Sequence, residues 1–241
     1  MLLTLTSIWV FLIVFVGIFV QGVAGFGLAL VMMPLLSQML GVTAAAPLVA
    51  LIAAVAELTI LLRYRQAVNF SAIWRLALAS VIAAPLGVFG LRWLPADVAL
   101  TGLGLVVSGY AVYALLRLHL PELVHSSWAY VFGFAAGLLS GAYNTSGPAY
   151  VIYGSCRRWE PAEFKGNLQG VFLTSGLTTI LSHALSGHYT PMVWQYWLLA
   201  LPAVALGLWA GARVDKKLNP KLFRQLILWL LLIIGARLLW A

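Results

Sequence analysis

Long apolar runs, separated by short polar stretches, are the feature that most restricts how this chain can fold. The first 20 residues, MLLTLTSIWVFLIVFVGIFV, carry no charged side chain, and similar runs recur to the C-terminus. About 20 apolar residues are needed for a helix to cross the hydrocarbon core of a bilayer. Only 8% of the residues are charged, against about a quarter in a soluble domain. The N-terminal run lacks the basic start and cleavage site of a signal peptide, so we interpret it as a first transmembrane helix.

Eight such segments follow one another along the chain. They cover residues 7–36, 42–62, 72–91, 98–117, 127–156, 168–186, 193–212 and 223–240. The first and the fifth are longer than a crossing requires, and glycines interrupt both of them, in QGVAGFG and in SGAYNTSGP. The sequence therefore predicts an all-α integral membrane protein of about eight transmembrane helices, with the first and fifth helices broken.

The two broken segments also indicate an internal duplication. A shift of 120 positions places Gly27 on Gly147 and aligns PLGVFG with ALGLWA. Because segment lengths, breaks and loops agree under this one shift, we predict two four-helix repeats, residues 1–120 and 121–241, within one membrane domain. Internal repeats are a common construction of secondary transporters. Four crossings in each half would make the repeats parallel, unless a broken segment is re-entrant.

The basic residues lie between or at the ends of the apolar segments, where positive charge favours the cytoplasmic side of a membrane. The net charge of +8 is explained by this orientation effect, and we predict no nucleic-acid partner. If every segment crosses, one side holds Arg92, Arg157, Arg158, Lys165, Arg213, Lys216, Lys217, Lys221 and Arg224, and the other holds Arg63, Arg65, Arg75, Arg117 and Arg237. This modest bias predicts a multi-pass protein of the inner membrane with both termini outside the cytoplasm.

The stretch GAYNTSGPAY, residues 141–150, predicts an interior binding site within the fifth segment. Non-helical backbone survives at membrane depth only where protein buries it or water reaches it, since each unpaired group costs several kcal/mol in hydrocarbon. Gly141 and Gly147 permit close approach and unusual dihedral angles, and Pro148 suits the first turn of a new helix. This segment should therefore line a cavity.

Polar residues distinguish the second break from the first. Asn144, Thr145 and Ser146 are placed to cap a new helix, whose N-terminal N–H groups would face the cavity and favour an anion. The first break, GVAGFGLALVMMP, has no Asn, Thr or Ser and is expected to offer backbone donors only. Close helix packing is the alternative role for glycines, and it accounts well for Gly17, Gly133 and Gly137. The predicted substrate-binding residues are Gln21, Gly25, Gly27, Asn144, Thr145, Ser146, Gly147, Pro148, Arg157, Asn167 and Gln169.

Three of these residues follow the second break. Arg157 could concentrate anions at the cytoplasmic mouth, because charge of one sign in a cleft focuses the field; anchoring at the membrane surface is the alternative. Pro161 and Glu163 indicate where the sixth helix begins. Asn167 and Gln169 are then expected inside this helix, as side-chain donors that face the broken segment.

Two titratable residues lie inside the predicted spans. Glu57 is the only acidic residue well within a span, and a carboxylate there is costly enough to suggest proton coupling. Alternatively, it pairs with Arg63 or reaches the membrane surface. His183 could also titrate near neutral pH, but a local hydrogen bond near the outer surface is the favoured interpretation.

The glycine-broken helix that ends in GFGLALVMMPLL, its later counterpart GLLSGAYNTSGPAYVIYGS and the following PAEFKGNLQGVFLTSGL resemble the sulfite exporter TauE/SafE family of anion permeases. The resemblance covers essentially the whole chain. It implies a multi-helix inner-membrane protein that moves sulfur-containing anions such as sulfite, thiosulfate or sulfonates, commonly outward. It also implies secondary transport, and we expect alternating access at a site between the repeats.

Two alternatives remain open at the level of sequence. A passive anion channel would share the fold and the cavity but would lack coupling. An intramembrane serine hydrolase could use Ser146 with His183, but no acid clearly orients the histidine. We predict that the protein is not an enzyme and needs no cofactor or metal. Its expected partners are a small anion, the lipid bilayer and a coupling proton or ion, and the sequence is also compatible with a homodimer.

Overall fold

The computed structural model describes residues 5–91, 93–116, 120–214 and 220–240, and the regular structure within these ranges is entirely helical. The helices are α1 Leu5–Ala24, α2 Leu28–Leu40, α3 Val42–Tyr64, α4 Phe70–Leu91, α5 Ala96–Leu115, α6 Trp128–Tyr143, α7 Gly147–Cys156, α8 Pro161–Leu185, α9 Pro191–Val214 and α10 Pro220–Leu239. A 3₁₀ turn, Arg65–Ala67, connects α3 to α4. Five of the described helical segments are long and apolar enough to cross a membrane, so the all-helical membrane fold is confirmed.

Both predicted breaks are present, and at each one the chain turns back on itself. Between α1 and α2, a Cβ added at Gly17 would contact Met32, while the Leu28 N–H donates to Gln21 Oε1 at 3.2 Å. From Gly17 to Gln21 along α1, the contacted residue in α2 therefore moves back from Met32 to Leu28. The α1–α2 pair is therefore an antiparallel hairpin.

The α6–α7 pair is also a hairpin, and its two ends meet. The Leu123 N–H, shortly before α6, donates to the Cys156 carbonyl at the end of α7 at 3.1 Å. Further along, the rings of Phe132 and Tyr153 lie 5.6 Å apart between centroids. The broken segment thus returns to the end of the molecule from which it entered.

Packing divides the chain into two compact units, each of which takes helices from both halves of the sequence. Unit 1 contains α1, α2, the first part of α3, α5, α9 and α10. Unit 2 contains the rest of α3, with α4, α6, α7 and α8. The repeats at 1–120 and 121–241 stay a prediction, because a duplication is a relation within the sequence that packing does not test.

Glycines bring helix backbones into contact in both units, as expected for helices that pack in lipid. In unit 1, a Cβ at Gly22 of α1 would lie 3.3 Å from the Cα of Gly211 in α9. In unit 2, a Cβ on α6 would collide with α4 carbonyls at three successive turns, which pair Gly133, Gly137 and Gly141 with Leu76, Ser80 and Ala84. The packing role is therefore confirmed for Gly133 and Gly137, and the ascending order shows that α4 and α6 run parallel.

Basic residues that the sequence analysis assigned to opposite sides lie together in unit 2. Lys165 Nζ and Arg63 Cζ lie 5.6 and 5.7 Å from the centroid of the same Tyr64 ring. Arg157, one of the nine residues predicted on one side, hydrogen-bonds to Leu123 before α6. In the sequence, the same connection between α5 and α6 contains Arg117, which was predicted on the other side. The division into nine and five is wrong, because it assumed that the fifth segment crosses. Arg92, Arg117, Lys216 and Lys217 lie outside the described residues.

Candidate substrate site

The break in unit 2 is a helix C-terminus followed directly by a helix N-terminus. Asn144 ends α6 in the left-handed conformation, with φ of 53°. The Asn144 N–H donates to the Ser140 carbonyl at 2.8 Å, which is the bond of a left-handed C-cap, and the Thr145 N–H donates to the Leu139 carbonyl at 3.2 Å. Asn144 therefore terminates α6. The residue in an unusual dihedral region is this asparagine, and the expectation for Gly147 was wrong.

The predicted side-chain cap of α7 was also wrong. Ser146 is the residue before α7, but it is itself helical and its side chain forms no capping hydrogen bond. The Tyr150 N–H donates to the Ser146 carbonyl at 3.3 Å, and the earlier N–H groups have no partner within the helix. Pro148 contributes no N–H, so Gly147 and Ala149 supply the amide donors of this first turn. The N-terminus of α7 therefore keeps donors available for a ligand.

Thr145 carries a buried hydroxyl at the break. Its side chain is 1% exposed, and its Oγ1 forms no hydrogen bond with any described residue. A buried hydroxyl without a partner costs about 1–3 kcal/mol. A polar atom kept at such a cost, one residue before Ser146 and the amides of α7, is well placed to donate to an anion.

A group of buried hydroxyls lies beside this break. Tyr150 Oη donates to Ser80 Oγ of α4 at 2.6 Å, and Ser140 Oγ of α6 lies 3.1 Å from Thr179 Oγ1 of α8. Ser175 lies one helical turn before Thr179 on α8. All five side chains are buried. This group could not be predicted from sequence, since isolated hydroxyls on apolar helices usually bond to the carbonyl four residues earlier.

Glu57 projects into the same unit from α3. Its side chain is 8% exposed, and its Oε2 has no hydrogen-bond partner among the described residues. A Cβ added at Gly176 of α8 would lie 3.3 Å from Oε2, so the carboxyl packs against that glycine. Arg63 is directed to the Tyr64 ring instead. The alternative in which Glu57 pairs with Arg63 is wrong.

His183 is fully buried on α8. A serine nucleophile needs a base within hydrogen-bond reach, and the pairing of His183 with Ser146 stays a prediction.

Arg157 lies at the end of α7, and its role at a cytoplasmic mouth stays a prediction. One of its guanidinium nitrogens, Nη1, donates to the carbonyls of Leu123 at 2.6 Å and Val124 at 2.9 Å. Arg158 donates similarly to the Leu120 carbonyl at 3.1 Å. Both arginines thus fasten the end of α7 to the segment before α6, and the structure does not bring Arg157 to the break.

Asn167 and Gln169 are both fully buried on α8, but the side chain of Asn167 does not face the break. Asn167 Oδ1 accepts a hydrogen bond from the Asn69 N–H at 2.7 Å, just before α4. The Asn69 side chain in turn donates to Glu163 Oε1 at 3.0 Å. Asn167 therefore fixes the start of α4 to α8, a role that the sequence spacing did not indicate.

The break in unit 1 has a comparable arrangement built from other residues. Gly25 and Gly27 both have positive φ, 80° and 106°, which explains why glycine occupies these positions. Gln21 Oε1 accepts the first N–H of α2, whereas its Nε2 is buried and has no hydrogen-bond partner among the described residues. Of the predicted site residues, Gln21, Gly25 and Gly27 lie together here, while Asn144, Thr145, Ser146, Gly147 and Pro148 lie together at the second break.

In each of the two hairpins, the break between the helices lies beside buried polar groups. Discontinuous helices of this kind are typical of polytopic membrane transporters. The chain belongs to the Sulfite exporter TauE/SafE family, whose model matches residues 10–238. A relative from Cupriavidus necator, named "Probable sulfite/organosulfonate exporter TauE", is 27% identical over 237 residues, which cover 92% of this chain and 90% of the relative. No solved structure matches the chain.

Proposed function

We propose that this protein is a secondary transporter that exports a small sulfur-containing oxyanion, such as sulfite, thiosulfate or a sulfonate, across the inner membrane. Membership of an exporter family supports this class of function, and the relative's name supports the sulfur chemistry. The observation that carries the proposal is the buried, unpartnered Thr145 hydroxyl just before the N-terminus of α7. The lipid bilayer and one small anion are the partners that this function requires.

The proposed ligand lies at the break between α6 and α7. The Thr145 hydroxyl and the amides of Gly147 and Ala149 donate to its oxygen atoms, because a helix N-terminus binds anions through free N–H groups and a positive dipole. Ser146 adds a second buried hydroxyl. Gln21 Nε2 is the corresponding unsatisfied donor at the break in unit 1.

We assign coupling to Glu57, which makes the protein an alternating-access carrier and not a passive channel. Glu57 is buried and its Oε2 has no hydrogen-bond partner among the described residues, so a charged carboxylate there requires access of water or a rearrangement of its neighbours. Glu57→Gln should still bind anion while a pH gradient no longer accelerates flux. Unchanged acceleration in that variant would exclude Glu57 from coupling.

The hairpins also support an orientation for the protein. If both broken segments return to the side from which they start, three full crossings remain in each half, and the two repeats have inverted topology. One side then receives Arg63, Arg65, Arg75, Arg117, Arg157, Arg158, Lys165, Arg213, Lys216, Lys217, Lys221 and Arg224. Only Arg92 and Arg237 of the 14 basic residues fall on the other side. This strong bias supports a cytoplasmic position for the basic side and an outer position for both termini.

Cysteine accessibility in cells tests this orientation at two loops. A background with Cys156→Ser would receive single cysteines at Gln66 and at Leu94, which flank α4. We expect a membrane-impermeant maleimide to label position 94 and not position 66 in intact cells. Eight full crossings would give the reverse pattern.

A thermal-shift panel of oxyanions tests the function itself. An anion that binds only the folded state raises the apparent melting temperature of the purified protein. We expect sulfite, thiosulfate or a sulfonate to do so in a saturable manner, with chloride as the control for ionic strength. Equal responses to all these anions would contradict a selective site.

A further inference from the structure

The break in unit 1 contains a buried amide donor that no described residue uses. Gln21 is 3% exposed, and its Oε1 accepts the Leu28 N–H at 3.2 Å. Because a backbone N–H can only donate, this contact fixes which end of the side-chain amide faces Leu28. The Nε2 atom is bonded to the same carbon as Oε1, so it also lies beside the N-terminus of α2. It has no hydrogen-bond partner among the described residues.

The first turn of α2 adds backbone donors to this amide. The Val31 N–H donates to the Gly27 carbonyl at 3.2 Å, so the N–H groups of Ala29 and Leu30 precede the first bond within the helix. Both residues are buried, and a buried N–H group without a partner is rare in proteins. One side-chain donor and two backbone donors therefore face the break together.

The backbone around these donors is held in place. A Cβ added at Gly22 would lie 3.3 Å from the Cα of Gly211, so the end of α1 packs directly against α9. Gly25 and Gly27 have positive φ, which side chains other than glycine rarely permit. At Gly27 an added Cβ would also lie 3.3 Å from Val20 Cγ1. Donors in a fixed arrangement bind a ligand without a further cost of ordering.

The residues of this hairpin also restrict the charge of a ligand. Neither α1 nor α2 contains an acidic, basic or histidine residue. N–H donors at a helix N-terminus favour an anion, but no cation of the hairpin offsets the cost of removing that anion from water. This cost rises with the square of the charge in a continuum description. The break therefore favours an anion with one negative charge over an anion with two.

We propose that the break in unit 1 is a second anion site, which binds one singly charged oxyanion of the sulfonate type through Gln21 Nε2 and the amides of Ala29 and Leu30. The class of anion rests on the proposed function, whereas the site rests on the hydrogen bonding of the break. Its donors are all N–H groups, while Thr145 and Ser146 add hydroxyls at the break in unit 2. The protein then binds two anions, one at each break.

Equilibrium dialysis of radiolabelled methanesulfonate against the purified full-length protein tests this inference, because it counts bound anions. We expect two molecules per chain in the unsubstituted protein. Gln21→Glu keeps an acceptor for the Leu28 N–H but replaces the Nε2 donor by an oxygen atom. One of the two molecules should then bind about tenfold more weakly or worse, and the other should be unaffected. Gln38→Glu is the matched control on α2, where the amide donates to the Pro34 carbonyl, and it should keep both molecules.

A second variant tests the backbone donors without a change at Gln21. Ala29→Pro removes an N–H that has no partner within the helix, and proline is tolerated in the first turn. The same molecule should again bind about tenfold more weakly. This test holds even if Gln21→Glu fails to fold. Unchanged affinity in either folded variant overturns the proposal.

Competition tests the charge of the ligand. Unlabelled methanesulfonate should displace the molecule at the break in unit 1 more effectively than sulfate, which carries two charges. Thr145→Val identifies this molecule, because that variant should weaken only the other one. Equal displacement by both anions overturns the assignment of a singly charged ligand.

The same counts separate this inference from the proposed function. One molecule per chain that only Thr145→Val weakens overturns the second site and leaves the proposed function in place. One molecule that both Thr145→Val and Gln21→Glu weaken would be shared by the two breaks, which also overturns a separate second site. If no methanesulfonate binds, the inference is wrong, although saturable sulfite binding would still support the proposed function.

Discussion

Replacement of Thr145 by valine separates stability from binding, because the two should change in opposite directions. Valine has nearly the same shape as threonine but carries no hydroxyl. Thr145 Oγ1 is buried and forms no hydrogen bond with the described residues, so its removal eliminates an uncompensated polar group. The free energy of unfolding of the ligand-free protein should therefore rise.

The expected changes in stability and in sulfite affinity both come from removal of Thr145 Oγ1. A buried unsatisfied hydroxyl costs about 1–3 kcal/mol, and about 1 kcal/mol shifts the melting temperature of a protein of this size by roughly 2–4 °C. Thr145→Val should thus melt at least about 2 °C higher without ligand. A hydrogen bond to a charged ligand contributes about 1.5–3 kcal/mol, so the dissociation constant for sulfite should rise about tenfold or more.

Differential scanning fluorimetry without anion and calorimetry with sulfite measure these two quantities. Thr145→Ser keeps a hydroxyl and should bind sulfite with nearly unchanged affinity. Thr178→Val is the matched control, since the Thr178 hydroxyl is exposed and bonds to the Thr174 carbonyl at 3.2 Å. A lower melting temperature together with unchanged sulfite affinity in Thr145→Val would refute the reasoning.

Three further predictions concern residues that shape the hairpin in unit 2. Arg157→Lys should lower the melting temperature by about 3–6 °C, because hydrogen bonds to the Leu123 and Val124 carbonyls that contribute about 1.5 kcal/mol are lost. The KM for sulfite should stay constant, and a raised KM with unchanged stability would indicate instead that Arg157 attracts the anion. Gly137→Ala should destabilise the protein by about 1–3 kcal/mol or more, because its Cβ would collide with the Ser80 carbonyl, whereas Gly109→Ala has open space and serves as the control in the same unfolding measurement. Asn144→Val should cost about 1–2 kcal/mol in thermal unfolding and Asn144→Gly little, since only the latter adopts the left-handed conformation readily; equal losses would exclude backbone strain as the cause.

The two helix breaks could be predicted from sequence because the residues that mark them are unfavourable inside a lipid-exposed helix. Glycines, a proline and three consecutive polar residues inside an apolar segment are expensive unless the backbone is buried or hydrated. Helix bounds at Ala24, Leu28, Tyr143 and Gly147 agree with that reasoning. The direction of the chain after each break could not be predicted, because it depends on contacts such as Leu123 with Cys156 that no local pattern encodes. Because the chain direction after the second break was predicted wrongly, the predicted division of the basic residues was also wrong.

The candidate site was also predictable only in part from sequence. Glu57 could be identified from sequence because the cost of a carboxyl within a span applies wherever its neighbours lie. Tyr150 and Ser80 could not, since a hydroxyl on an apolar helix acquires a role only from partners on other helices. Asn167 was assigned to the break from its spacing, yet its partner Asn69 lies 98 positions away in the sequence. Long-range pairing of this kind is invisible in a single sequence.

Accumulation of radiolabelled sulfite in proteoliposomes tests the central claim most directly. A coupled carrier uses the free energy of an imposed pH gradient to move its substrate against a concentration gradient. We expect internal sulfite to exceed the external concentration while the pH gradient lasts, and to fall back when a protonophore dissipates it. Entry that stops at equal concentrations with and without the gradient would identify a passive channel, and no entry above that of empty liposomes would contradict sulfite transport.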